Sequence, residues 1–167
     1  MKPLSPLTCK IVAYLEVPQF SYDDCIDWAI EMLELGHETP SLLILAGLSK
    51  PTDYFESANY LKRALEELDI QTKSGEQARL SYGSFYIQNI AEGQRVRANL
   101  QGLCNFVISA NYEKILFDFY LLHWAWNDLD YNDGVQFYWP DADQKNIESI
   151  VVKTAQKWIQ TYKTLTP

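Results

Sequence analysis

The sequence has few of the residues on which metal centres and covalent catalysis most often depend. Its two histidines, His37 and His123, are far apart. Neither is followed, three or four residues later, by the second histidine or cysteine that helical zinc sites commonly use. P-loop, GxGxxG and GxSxG motifs are absent. We therefore expect no zinc site and none of these enzyme classes, and we assign no catalytic residue, metal or cofactor.

Cysteines and long apolar runs are also scarce. Cys9, Cys25 and Cys104 are an odd number without CxxC spacing, and each stands in a helical apolar pattern. This favours reduced, buried thiols over a disulfide framework or a catalytic pair with His123. No apolar run approaches the roughly 20 residues that span a bilayer, and the amino terminus lacks the cleavage pattern of a signal peptide. We therefore expect a cytoplasmic protein.

Acidic residues outnumber basic ones, with 22 aspartates and glutamates against 14 lysines and arginines and a formal charge of −8. Such a balance argues against nucleic acid and membrane surfaces as partners and favours a basic protein. The acids are concentrated in two stretches without lysine or arginine, residues 11–49 with a charge of −7 and residues 115–144 with −6. The first stretch by itself is typical of a solvated helix face.

Hydrophobic residues recur at helical spacing through most of the chain, whereas the alternation typical of strands is nearly absent. We predict helices over residues 21–36, 40–48, 51–70, 76–93, 96–109, 112–129 and 143–163. The pattern predicts an all-α fold in which residues 1–167 form a single-domain bundle of about seven or eight helices with antiparallel neighbours. HEAT-like stacking of helical hairpins is an alternative, although no repeat has a fixed period.

Four of these helices carry more detailed expectations. Ser21 is predicted to cap the helix over 21–36, and Asp143 the helix over 143–163. The segment 40–48 has no polar face after Ser41, which predicts a buried helix at the centre of the core. The spacing within 51–70 places six apolar residues on one side, namely Tyr54, Phe55, Ala58, Leu61, Leu65 and Leu68.

Residues 123–143, HWAWNDLDYNDGVQFYWPDAD, combine three tryptophans, five aspartates and one of the two histidines. From residue 128 onward they resemble a calcium loop, because acidic or amide side chains stand at the first, third and fifth positions. However, Asp133 occupies the sixth position, where glycine is needed, and Trp139 the twelfth, where a bidentate glutamate is needed. We therefore favour a solvated turn shaped by aspartate and glycine.

Aromatic anchors interleaved with carboxylates are what a surface needs to bind a basic protein quickly and tightly. We predict that such a partner-binding surface comprises Asp128, Asp130, Tyr131, Asp133, Phe137, Tyr138, Trp139, Asp141 and Asp143. Two other hypotheses are a small-ligand or enzyme site around His123, Trp124 and Asp128, and an adaptor without an inhibitory role. We expect a monomer when the chain is in isolation.

Residues 28–70 resemble a family of small bacterial all-helical proteins in which an LxILAGL-like segment precedes a helix with a leucine-rich end. Here these motifs are 42-LLILAGL-48 and 65-LEEL-68, and 82-YGSFYIQNIAEG-93 is more weakly similar. As a small, acidic, single-domain chain, the protein also resembles in type the immunity proteins of contact-dependent and other polymorphic toxin systems. That resemblance implies a protein that binds and blocks a cognate toxin, often a basic nuclease, and it transfers no residue roles.

Overall fold

A computed structural model describes residues 1–163, and every regular element in that range is helical. The prediction of an all-α fold is therefore confirmed. The α-helices are α1 (Thr8–Ile11), α2 (Asp23–Glu34), α3 (Pro40–Ala46), α4 (Tyr54–Glu67), α5 (Gly75–Ala91), α6 (Val96–Ser109), α7 (Phe117–Tyr131) and α8 (Ile147–Thr161). A short 3₁₀ helix, Lys114–Leu116, directly precedes α7. Within the described range, no helix is long and apolar enough to cross a membrane.

The chain divides into two compact units, with the boundary inside α5 between Tyr82 and Gly83. The assignment of residues 1–167 to one domain stays a prediction. In the first unit, α2, α3 and α4 pack in sequence order and α1 packs on α2. The indole N–H of the fully buried Trp28 donates to Thr8 Oγ1 at 3.0 Å, which fixes α1 to α2 and leaves no polar atom of the indole unpaired.

The second unit is built from α6, α7 and α8, each of which packs on the other two. Trp158 of α8 donates its indole N–H to the carbonyl of Ile115, at 3.1 Å. Gly83 allows close packing, since a Cβ at this position would lie 2.9 Å from Cδ1 of the buried Leu116. This contact explains why a glycine occurs inside a 17-residue helix, where helix propensity disfavours it.

Two of the predicted caps are wrong in their details. The side chain of Ser21 does not cap α2; instead its carbonyl accepts the N–H of Asp24, at 3.1 Å. Asp143 caps a turn and not α8, which begins four residues later at Ile147. The caps that do form are Thr39 on α3 and Asp53 on α4, whose side chains accept N–H bonds three residues ahead.

The predicted burial of two apolar segments is also wrong in part. Leu42 and Leu45 of α3 are fully buried, but Leu43 and Ile44 are 53% and 43% exposed. In α4, Phe55 is 90% exposed, because it lies six residues, or about 120° around the helix axis, from the buried Leu61. Tyr54 shares the angle of Leu61 but is 57% exposed at the amino-terminal end of α4. Apolar surface in both helices is therefore left uncovered.

Candidate protein-binding surface

The connection from α7 to α8 is the structural centre of the predicted partner surface. It runs from residue 132 to residue 146, and we call it the α7–α8 loop. Loops of this length in compact domains are usually functional or disordered. This one has its own hydrogen-bond network, which indicates an ordered loop.

The side-chain amide of Gln136 holds the centre of the α7–α8 loop together. Its Oε1 accepts the backbone N–H groups of Tyr138 and Trp139, at 2.9 and 2.8 Å. Its Nε2 donates to the carbonyls of Trp139 and Ala142, at 2.6 and 3.2 Å. One half-buried glutamine thus satisfies four backbone groups that a helix or sheet would otherwise satisfy.

The loop begins with a tight turn. Val135 N–H donates to the Asn132 carbonyl at 2.9 Å, and the two residues between them, Asp133 and Gly134, have φ angles of 50° and 75°. Positive φ at both central positions is the geometry of a type I′ turn. The predicted turn shaped by aspartate and glycine is confirmed. Within residues 1–163, no group of three or more His, Cys, Asp or Glu side chains is placed to hold a metal ion.

The far end of the loop is fastened by three side chains. Asp143 Oδ1 accepts the N–H of Asn146 at 2.9 Å, and Asn146 Nδ2 donates to the Asp141 carbonyl at 2.8 Å. Gln144 Nε2 donates to the carbonyl of Leu129 in α7, at 2.8 Å. The loop is therefore tied both to itself and to the end of the preceding helix.

The fastened loop displays aromatic rings to solvent. Phe137 is 91% exposed, Tyr131 at the end of α7 is 82% exposed, and Tyr138 is 42% exposed. Trp139 is half-buried. Three of the four predicted aromatic residues thus leave much of their side chain exposed to a partner. Phe137 offers more uncovered surface than Trp139.

Asp130 already has a partner within the chain. Its Oδ2 lies 3.0 Å from Arg97 Nη1 of α6, and the same guanidinium stacks over the ring of Trp126, 4.6 Å from its centroid. Because both members of the ion pair are more than a third exposed, its contribution to stability is small. Asp130 is thus engaged between α6 and α7 and is less available to a partner than the sequence suggests.

The other four predicted carboxylates differ in their surroundings. Asp143 accepts hydrogen bonds within the loop, and Asp128 is half-buried on α7. Asp133 and Asp141 are exposed, and both have positive φ, at 50° and 64°. These two carboxylates are the ones best placed to act on an approaching charge.

A row of aromatic side chains before and along α7 was not predicted. The rings of Phe117 and Tyr120 stack with centroids 5.2 Å apart, Tyr112 packs edge-on against Tyr120 at 5.4 Å, and Trp124 continues the row at 6.4 Å. Burial raises the pKa of Tyr120, and the neighbouring Tyr112, Cys104 and Tyr138 raise it further. Aromatic residues at 117, 120 and 124 have the spacing of one helix face, and that pattern is the sequence feature that could have revealed the row.

The alternative site around His123, Trp124 and Asp128 stays a hypothesis; all three residues lie on α7, and the rings of His123 and Trp124 pack edge-on with centroids 5.1 Å apart. His123 is buried, and its Nδ1 has no hydrogen-bond partner within the described range. Burial lowers the pKa of His123, and the nearby charge of Arg97 lowers it further. Asp128 follows His123 by five residues, which turns it about 140° around the helix axis. His123 therefore lies in the core of the second unit and faces away from Asp128.

The three cysteines are buried, as predicted. Burial raises the pKa of the Cys25 thiol to about 12 and that of Cys104 to about 11. Thiols in such surroundings stay protonated and are poor nucleophiles.

The other acidic stretch, residues 11–49, is partly used inside the first unit. Asp24 pairs with the buried Lys10 at 2.6 Å, and Asp27 pairs with Lys50 at 2.5 Å. Its charge is therefore less available to a partner than its count of carboxylates suggests.

Comparison of the chain with protein-family models, with curated proteins and with solved structures gave no significant match.

Proposed function

We propose that this chain is an acidic binding protein that neutralises a cognate bacterial toxin, a basic nuclease, by covering its active face. The contact is made by the α7–α8 loop together with Tyr131. The observation that carries the proposal is the exposure of Phe137 on a loop that is held in place by its own hydrogen bonds.

An exposed ring on an ordered loop is suited to a tight contact. Burying a phenylalanine side chain contributes about 1.5–3 kcal/mol, and interface anchors are enriched in aromatic residues. Binding normally loses part of this gain to the ordering of loops and side chains. Because Gln136 already fixes the backbone of Tyr138 and Trp139, less ordering is left for the moment of binding.

The charge of the chain supports a basic partner. The formal charge is −8, and Asp133 and Asp141 place two exposed carboxylates on the same loop as Phe137. A nuclease must present a basic face to its phosphate substrate, so an acidic surface is complementary to the face that has to be blocked. The resemblance of the chain in type to immunity proteins points the same way.

The proposal predicts that the gene immediately upstream encodes a toxin with nuclease activity, and the test is binding to that gene's product, measured together with inhibition of its nuclease activity. Phe137→Ser should raise the Kd by about 30-fold or more if this ring is a central anchor worth about 2 kcal/mol. The matched control is Leu43→Ser, which removes another exposed apolar side chain, on α3. The proposal fails if Phe137→Ser and Leu43→Ser bind and protect as well as the unaltered protein does.

A further inference from the structure

The first unit contains an open groove of about 910 Å³, and none of the residues that line it belongs to the α7–α8 loop. One part of its lining comes from α4, from Tyr54 to Glu66, and from Asp69 just beyond it. The rest comes from Tyr14 and Leu15 and from the residues that follow α4, 70–72. The groove contains much of the apolar surface that the first unit leaves uncovered, since Phe55 is 90%, Leu15 65% and Tyr54 57% exposed.

The lining residues of α4 form one stripe along the helix. Phe55, Ala58, Lys62 and Glu66 follow one another at spacings of three or four residues, which places them on one face of α4. At 1.5 Å per residue, the stripe from Phe55 to Glu66 is about 17 Å long. Asp69, two residues beyond the end of α4, also lines the groove, which is therefore long enough for about five or six residues of an extended chain and exceeds what a compact metabolite would fill.

One end of the groove is aromatic and fixed in position. The ring of Tyr54 packs edge-on against Phe55 at 5.6 Å and against Tyr22 at 5.8 Å. The backbone beneath them is held by Asp53, whose carboxylate accepts the N–H of Glu56 at 3.0 Å. Rings supported in this way form a surface suited to a large apolar side chain or to the stem of a long one.

The opposite end is negatively charged. Glu66 lies in the last turn of α4 and Asp69 just beyond it, where the helix dipole adds partial negative charge and where the last turn has no basic residue. Lys62 Nζ lies 4.0 Å from Glu66 Oε1, but both side chains are about two-thirds exposed, so this pair neutralises little. The end of the groove therefore attracts a cationic group.

We infer that this groove binds a linear segment of another protein, with a large apolar side chain at the Tyr54–Phe55 end and a lysine or arginine at the Glu66–Asp69 end. Charge argues against a second copy of this chain, because the first unit alone has 13 acidic and 7 basic residues. The same charge argues against nucleic acid. The inference does not rest on the proposed function, since all groove residues lie in the first unit and the α7–α8 loop lies in the second.

The probe is a phage-displayed library of random peptides of about twelve residues, twice the estimated length of the groove. The library is selected on the immobilised full-length protein, and the enriched peptides are then synthesised and titrated by fluorescence anisotropy. They should share a large apolar residue and a lysine or arginine about five or six positions apart. Phe55→Ser should raise their Kd at least about tenfold, as should the pair Glu66→Gln and Asp69→Asn.

Two matched variants serve as controls. Phe137→Ser removes an equally exposed phenylalanine from the α7–α8 loop, and the pair Glu34→Gln and Glu38→Gln removes two exposed carboxylates outside the groove. Both should leave the Kd unchanged within about twofold. If circular dichroism shows that the Glu66 and Asp69 pair is misfolded, Asn59→Arg replaces it, because that exposed side chain lines the groove and would repel a basic segment.

The inference is overturned if no peptide is enriched, if the enriched peptides lack a basic residue, or if Phe55→Ser does not weaken them. It is equally overturned if Phe137→Ser weakens them as much, since the α7–α8 loop would then be the binding site. Sedimentation velocity tests the last alternative, in which a second copy of this chain occupies the groove. Self-association that is lost in Phe55→Ser would identify a second copy of the chain as the occupant, which would also overturn it.

Discussion

Replacing Gln136 with alanine should loosen the α7–α8 loop without unfolding the protein. The change removes the acceptor of two backbone N–H groups, those of Tyr138 and Trp139, and the donor to two carbonyls. Each hydrogen bond contributes about 0.5–1.5 kcal/mol net, so loss of the two N–H bonds should favour local opening by about 1–3 kcal/mol. This corresponds to a factor of about 5 to 150 in the opening equilibrium.

The assay is native-state hydrogen exchange followed at the amides of residues 136–139, 141 and 142, with the melting temperature as a second readout. Exchange in this segment should be faster by the same factor, because local opening then limits protection. The melting temperature should change much less, because the loop can open without exposing the core. Gln136→Glu separates the two roles, since it keeps the acceptor oxygen for Tyr138 and Trp139 and loses the two donor contacts.

The matched control is Gln101→Ala, which removes an exposed glutamine of α6 whose Nε2 donates to Asn105 Oδ1 at 3.0 Å. It should leave exchange in the α7–α8 loop unchanged. If Gln136→Ala and Gln101→Ala give the same exchange rates at Tyr138 and Trp139, the glutamine does not hold the loop. The proposed advantage of an ordered loop in partner binding would then lose its structural basis.

Three further outcomes are expected. Burial lowers the pKa of His123 in the folded state, so stability should fall as the pH drops below the unfolded-state value of about 6.5. His123→Phe should therefore make the melting temperature depend less on pH between about pH 7.5 and 5.5, and an unchanged slope would contradict this. Gly83→Ala should lower the free energy of unfolding by about 1–3 kcal/mol in urea titrations, because its Cβ would crowd Leu116; a gain, as helix propensity alone predicts, would refute the packing argument. Asp133→Asn with Asp141→Asn should slow association with the toxin and flatten its salt dependence in surface plasmon resonance, and unaltered rates at two salt concentrations would exclude these carboxylates from steering.

Sequence periodicity was sufficient to place most helices. The predicted segment 96–109 has the bounds of α6, because its apolar residues recur at helical spacing along its whole length. The start of α8 could not be placed in the same way. Asp143 accepts N–H groups of the residues just after it, whether a helix or a turn follows, so the cap pattern is the same in both cases.

Burial was harder to predict than helicity. Periodicity gives the angle of a side chain around its helix, but it does not tell whether another element covers that angle. Phe55, Leu43 and Ile44 have apolar side chains, and no element of the fold covers them fully. Long-range contacts such as Arg97 with Asp130 depend on how α6 packs on α7, and a single sequence contains no direct record of that packing.

Phe55 and Phe137 show how an exposed aromatic ring and the carboxylates near it can act together. They are 90% and 91% exposed, one on a capped helix and the other on a loop held by its own hydrogen bonds, and each lies on an element that also carries exposed carboxylates. An exposed ring alone attracts any apolar surface, because the hydrophobic effect has no direction. Carboxylates beside the ring repel acidic surfaces and favour basic ones, so the ring contributes affinity and the charge selects the partner. We therefore propose both elements as selective protein-binding surfaces, and loss of that selectivity when the neighbouring carboxylates are removed is the result to look for.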